Sequence, residues 1–195
     1  MSLKISAIFA VLVALAAGAV GYEIKVNKLG SWELGFSARP PRTIELATEQ
    51  GKENYTYVVY EIKNDTQEEI NFIPSLQLQA DGGDAVTGDS YGAAAKEIRR
   101  IVGGNLLDQA GITGCIKPGE TRRGVAIWKN FEPGARQLTL YVQGLSDDFK
   151  MVKNENGHML TMYRTYKLTY RRTGSAEHVA INPVQLVTCE WIWRE

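Results

Sequence analysis

Tyr55-Thr56-Tyr57-Val58-Val59-Tyr60-Glu61-Ile62-Lys63, followed by Asn64-Asp65-Thr66, is the stretch on which the fold reading turns. Its β-branched and aromatic residues suit a pleated, partly buried surface. A two-residue period sends Val58, Tyr60 and Ile62 to one face and Tyr57, Val59 and Glu61 to the other. Asn64 and Asp65 then end the run, because both tolerate left-handed backbone and close Asx turns.

The same rhythm extends in both directions. Upstream, Tyr22 to Val26, Trp32 to Phe36 and Thr43 to Leu46 read as short strands, the last one after the stiff Pro40-Pro41 pair. Downstream, Ile70, Phe72, Leu76, Leu78 and Ala80 keep the alternation, with Pro74 interrupting it as at a bulge or an edge. Lys117-Pro118-Gly119-Glu120 has the residues of a type II turn, Pro second and Gly third. It leads into 121–128, where Val125 and Ile127 share the inward face and Trp128, of opposite parity, is expected at the surface. Glu132-Pro133-Gly134-Ala135 repeats the turn before Leu138, Leu140 and Val142. Asn154-Glu155-Asn156-Gly157 makes a hairpin tip before a long strand over 159–172. A last strand, 184–193, puts Val187, Cys189, Trp191 and Trp193 on one side as a core strand. Many short strands punctuated by turns predict a mostly all-β, antiparallel sandwich.

One segment breaks the pattern. Residues 93–102 are Ala-rich, with Lys96, Glu97, Arg99 and Arg100, and lack strand alternation. Gly103-Gly104 stops them, and Asn105 is the expected cap of a second helical turn. This short helical insertion, near 90–110, carries Ile98, Ile101, Leu106 and Leu107 either toward its own sheet or toward a partner.

Tyr57 to Asn64, the polar turn after it, Ile70-Asn71-Phe72 and Ile116-Lys117-Pro118-Gly119-Glu120-Thr121 resemble the immunoglobulin-like β-sandwiches of uncharacterised bacterial exported families. The resemblance spans roughly residues 55–145 and rests mostly on turn chemistry. It implies a fold and says little of activity; the helical insertion departs from its simplest form.

The N-terminus reads as an export signal. Lys4 precedes an uncharged run from Ile5 to Val20, and small residues collect at Ala17-Gly18-Ala19 before charge returns at Glu23. That is the layout of a cleaved signal peptide over 1–21. The alternative is a membrane anchor over 5–21, at the lower limit of a span. One domain, 22–195, remains, with an exported, periplasmic or extracellular location. In such a compartment Cys115 and Cys189 form a disulfide candidate. The loop would span about 75 residues and contribute about 4 kcal/mol in the chain-entropy view; the alternative is two small buried residues.

Composition excludes several function classes. The chain has 195 residues, 44% of them hydrophobic, with 22 basic residues balanced by 22 acidic ones. Such balance argues against a nucleic-acid partner, and no polybasic run is present to hold an anionic membrane. The membrane enters only through a retained leader. His158 and His178 are the two histidines, and neither has a second one at metal-ligand spacing. No nucleophile elbow, phosphate loop or dinucleotide fingerprint occurs. Asp81, Asp84 and Asp89 share a Gly-rich loop, but their spacing misses the EF-hand pattern. The acid pairs Glu68-Glu69 and Asp147-Asp148 are adjacent along the chain and not disposed across a cleft. No catalytic residue, metal site or cofactor is assigned, and the chain is read as a non-enzyme.

The expected function is a non-catalytic interaction or assembly (scaffold) subunit that binds a protein partner or its own copy. Trp128, Ile98, Ile101, Leu106 and Leu107 are the interaction candidates, with the 144–158 loop beside them. Four Trp and nine Tyr supply the alternative, a carbohydrate-binding or adhesin-like module with aromatic contacts. An unrecognised hydrolase is the third reading.

Overall fold

The long strand at 51–63 organises the molecule because both of its faces are apolar over 55–60. In the computed structural model, which describes residues 23–25, 31–49, 51–132, 134–173 and 184–195, the elements run β1 (Glu23–Lys25), β2 (Gly35–Ala38), β3 (Arg42–Thr48), β4 (Gly51–Lys63), β5 (Ile70–Phe72), β6 (Ser75–Ala80), β7 (Ala85–Thr87), α1 (Gly92–Val102), α2 (Gln109–Ile112), β8 (Gly114–Ile116), β9 (Thr121–Lys129), β10 (Gln137–Gln143), β11 (Phe149–Lys153), β12 (Met159–Arg172) and β13 (Val184–Arg194). The chain is all-β with antiparallel strand pairing, as its two-residue rhythm predicts.

β4 is the centre of a four-stranded sheet. β9 pairs with residues 55–63, so β2 (against 60–63) and β3 (against 51–57) lie end to end along the other side. A seven-stranded sheet is built on β12. β13 runs along one side of β12, and β10 followed by β11 along the other. β6 pairs with β10, β1 with β11, and β7 with β6. β5 and β8 form a small separate ladder.

The two sheets share one core. Val58, Tyr60 and Ile62 of β4 meet Leu76 and Leu78 of β6, Leu138, Leu140 and Val142 of β10, and Leu168 and Tyr170 of β12. The opposite face of β4, with Tyr55, Tyr57 and Val59, is covered by α1 through Ala94, Ala95 and Ile98, with Leu106 beside it. A strand buried on both faces reads as a continuous apolar run, which explains why Tyr57 to Tyr60 is uniformly hydrophobic.

Several expectations are corrected here. Val125 and Ile127 face the helix, not the shared core. Trp128 is therefore directed inward, 1% exposed, between the sheets. Its indole Nε1–H donates to the Val86 carbonyl at 2.8 Å. Ile98, on the inner face of α1, and Leu106 beside it are buried against β4 and present no surface to a partner. The second helical turn begins at Gln109 and not at Asn105; Asp108 caps it, accepting from the Gly111 N–H. Asp81 sits at φ 44° in a tight turn and accepts the backbone N–H groups of Arg136 and Gln137, a structural role.

The turns at Gly119 and Gly157 formed as read. Gly119 has φ 76°, and the Glu120 N–H closes the turn onto the Lys117 carbonyl. Asn154 N–H and the His158 carbonyl close the hairpin tip. The leader over 1–21 and His178 lie outside the described residues. Among the described residues no helix is long and apolar enough to cross a membrane.

Candidate functional site

Two surface features emerge, an open cleft at one end of the paired sheets and the strand β13. The cleft arises from a break in alternation. Along β12, pairing passes from Val142↔Tyr166 to Phe149↔Tyr163. Seven steps on one strand thus match three on the other, and residues 144–148 loop out. Gly144 makes this possible: its φ is +88°, and a Cβ there would collide with the Ile73 carbonyl. Only glycine tolerates both conditions.

The loop is held by the segment before β2. Leu34 N–H donates to the Leu145 carbonyl at 2.8 Å, and Trp32 N–H donates to the Asp147 carboxylate at 3.0 Å. Arg164 fixes the rear: its guanidinium contacts Glu33 at 2.9 Å and Asp148 at 3.1 Å, and lies over the Trp191 ring, 4.3 Å from its centroid. On the far wall, Ile73-Pro74 carries the chain from β5 to β6, and Gln109 of α2 reaches the Pro74 carbonyl.

The cleft so formed has a volume of about 400 Å³. Trp32, Phe149 and Tyr163 line it, with Ile73 at the mouth; the polar groups are Asn71, Gln143, Asp147, Ser75 and Ser146. Among the described residues no Lys, Arg, His or Cys lines it. A single carboxylate, already accepting from the Trp32 amide, does not make an acid–base pair. Binding is the chemistry these groups offer.

β13 is the second feature. An aromatic chain ties it to the core, from Tyr60 through Phe36 and Tyr166 to Trp191. The hydrogen bond between the Tyr166 hydroxyl and Cys189, aided by burial, pushes that phenol up to about 12. Beyond this anchor the strand is open. A register shift beside Tyr170 leaves Val187 opposite no residue of β12, and Leu186, Val187 and Trp193 are 49%, 50% and 40% exposed. Among the described residues no strand pairs with its outer side. The expected core strand is thus an edge strand.

The remaining sequence candidates are dispersed. Ile101 is 50% exposed. Leu107 is half-buried and paired through its backbone with Arg123 and Val125. Cys115 and Cys189 are both free and exposed, on different sheets, so the candidate disulfide is not formed. Among the described residues no three His, Cys, Asp or Glu side chains gather as metal ligands. Neither Tyr163 nor Leu186 stood out in the sequence, since each sits in an ordinary alternating strand; the 144–158 loop was the nearest signal.

No protein-family model and no curated protein matches the chain. A solved structure described as a conserved hypothetical protein from Bacillus anthracis is similar over 72% of this chain and 96% of its own, at 20% identity and a TM-score of 0.36. A likeness of that strength carries no argument.

Proposed function

We propose that the protein is a non-catalytic interaction subunit, an exported assembly or scaffold component on an immunoglobulin-like frame, that takes an extended strand of a protein partner along β13. The observation that carries this reading is the open side of β13 together with the exposed Leu186, Val187 and Trp193. An unpaired strand edge offers its N–H and C=O groups as a template for another chain. Edges that must stay solitary are blunted by charged side chains, Pro or bulges; β13 has a register shift at Val187 and the charges Glu190 and Arg194, but no Lys or Pro between Val184 and Arg194. In strand addition the backbone ladder supplies affinity and alternate side chains supply selectivity. The half-exposed apolar side chains would provide the latter.

The test is capture of a partner from the source cell, followed by native mass spectrometry and amide exchange. A bound partner, or a second copy, slows exchange of the β13 amides, and Leu186→Lys or Val187→Pro releases it while leaving the melting temperature of the free protein unchanged. A strictly monomeric, partner-free protein, or a partner held equally by both variants, overturns the reading.

A further inference from the structure

The cleft at the 144–148 loop is separate from β13 in its make-up. Its volume, about 400 Å³, lies within the ~300–1,000 Å³ of small-molecule sites. What it binds is constrained by what lines it. With no cation among the described lining residues, a phosphate or other anion would lose its water shell without a compensating charge. With one carboxylate, a divalent cation would lack the six to eight or so oxygen ligands that calcium takes. A purely apolar ligand would cover the Asn71 and Gln143 amides and offer them nothing in return, which is unfavourable, although the Gln143 Nε2 already donates to the Glu195 carbonyl at 3.5 Å.

One ligand chemistry satisfies both halves of the lining. A neutral sugar ring has an apolar C–H face and a rim of hydroxyls, each both donor and acceptor. Aromatic side chains such as Trp32, Phe149 and Tyr163 offer large, rigid apolar faces with few torsions to freeze. Carboxamides offer donors and an acceptor side by side, which matches neighbouring hydroxyls on a ring.

The site is also pre-organised. Gly144 is packed against Ile73, and Asp147 holds the backbone of Trp32, so little order has to be gained on binding. The mouth is open, since Ile73 is 65% and Tyr163 50% exposed. A ligand seated there can continue through that mouth into solvent. We infer that this cleft is a binding site for a neutral sugar residue within a longer glycan.

The test is calorimetric titration of the intact protein with cellohexaose, xylohexaose, mannohexaose, maltohexaose and chitohexaose. The inference expects at least one of them to bind with Kd below about 1 mM. Tyr163→Ala and Asn71→Ala each weaken that binding about tenfold or more without lowering the melting temperature, whereas Leu186→Lys on β13 leaves it unchanged. Absence of binding across the panel, or binding indifferent to Tyr163→Ala, overturns the inference. Because Leu186→Lys addresses the other surface, either proposal can fail alone.

Discussion

Gly124 lies against Tyr60: a Cβ on the glycine would stand 2.6 Å from Cζ and 2.8 Å from Oη of the tyrosine, and 2.5 Å from Ile112 Cδ1. Tyr60 is fully buried, and burial pushes its phenol pKa upward. Neither neighbour is a free side-chain end able to swing into solvent. The pair sets how closely α2 and β9 pack on the shared core. Gly124→Ala is therefore expected to destabilise the fold by about 1–3 kcal/mol through overpacking. Urea unfolding of the two proteins measures it; an unchanged midpoint would show that the core yields more than these contacts allow.

Asn64 closes the strand that decided the fold. Its side chain is fully buried, with Nδ2 donating to the Glu68 and Ile116 carbonyls and Oδ1 accepting from the Thr66 amide and hydroxyl. All of its capacity in this setting joins β4, the following turn and β8. Asn64→Ala strands the buried Ile116 carbonyl and frees the part-buried groups of Thr66 and Glu68, at about 1–3 kcal/mol for a buried group left unpaired. The expected loss is about 2–3 kcal/mol in chemical denaturation. Asn64-Asp65-Thr66 also fits the Asn-x-Thr pattern of N-glycosylation, and the burial of Asn64 closes it to a glycan in the folded protein.

Trp128 shows where legibility ended. Alternation correctly placed β9 as a strand, and the turn residues at Gly119 and Gly157 correctly marked where strands reverse, because φ > 0 is a local demand that local sequence must meet. Which face of a strand looks inward is a tertiary matter. Gly124, Ala126 and Trp128 formed one face of β9, Val125 and Ile127 the other, and both were apolar because a helix covers the second. Parity alone cannot rank two buried faces. The cleft was hidden for a related reason: residues 144–148 leave the ladder between two regular strands, and their partners Trp32 and Ile73 lie far away in sequence. Truncating Trp128→Ala removes a buried indole and its bond to Val86, with an expected cost of about 3–5 kcal/mol. Thermal unfolding measures this; a loss under about 1 kcal/mol would return the residue to the surface.

Tyr170 offers the opposite sign. Its ring is fully buried in the core, and among the described residues its hydroxyl has no hydrogen-bond partner. Burial pushes its pKa upward, with Tyr166 and Cys189 contributing in the same direction. Burying an unpaired hydroxyl is unfavourable, so Tyr170→Phe is expected to be neutral or to stabilise by up to about 1 kcal/mol. A marked loss on denaturant unfolding would mean that the hydroxyl is satisfied.

Acid should loosen the turn at 117–120 through Glu120. Arg122 donates to one of its carboxylate oxygens at 2.7 Å, and the Lys117 amide to the other at 2.9 Å. These bonds, the arginine's first, lower its pKa from the ordinary 4.5. A carboxylate whose folded pKa lies below its unfolded value stabilises the fold in full above the unfolded value, and that stabilisation is lost as pH falls through the folded one. Glu53, bonded to Lys129 and Tyr55, shifts in the same direction, so part of the acid sensitivity will survive any change at Glu120. The expected outcome is that the denaturation midpoint drops between pH 7 and pH 3 in the parent protein, and drops less in Glu120→Gln, which cannot titrate. At pH 7 the variant should be the weaker of the two; near pH 3 the difference should narrow. Equal slopes against pH in both proteins would remove Glu120 from the acid response and leave the turn held by its backbone hydrogen bonds to Lys117 and Asn64 and by the Gly119 geometry.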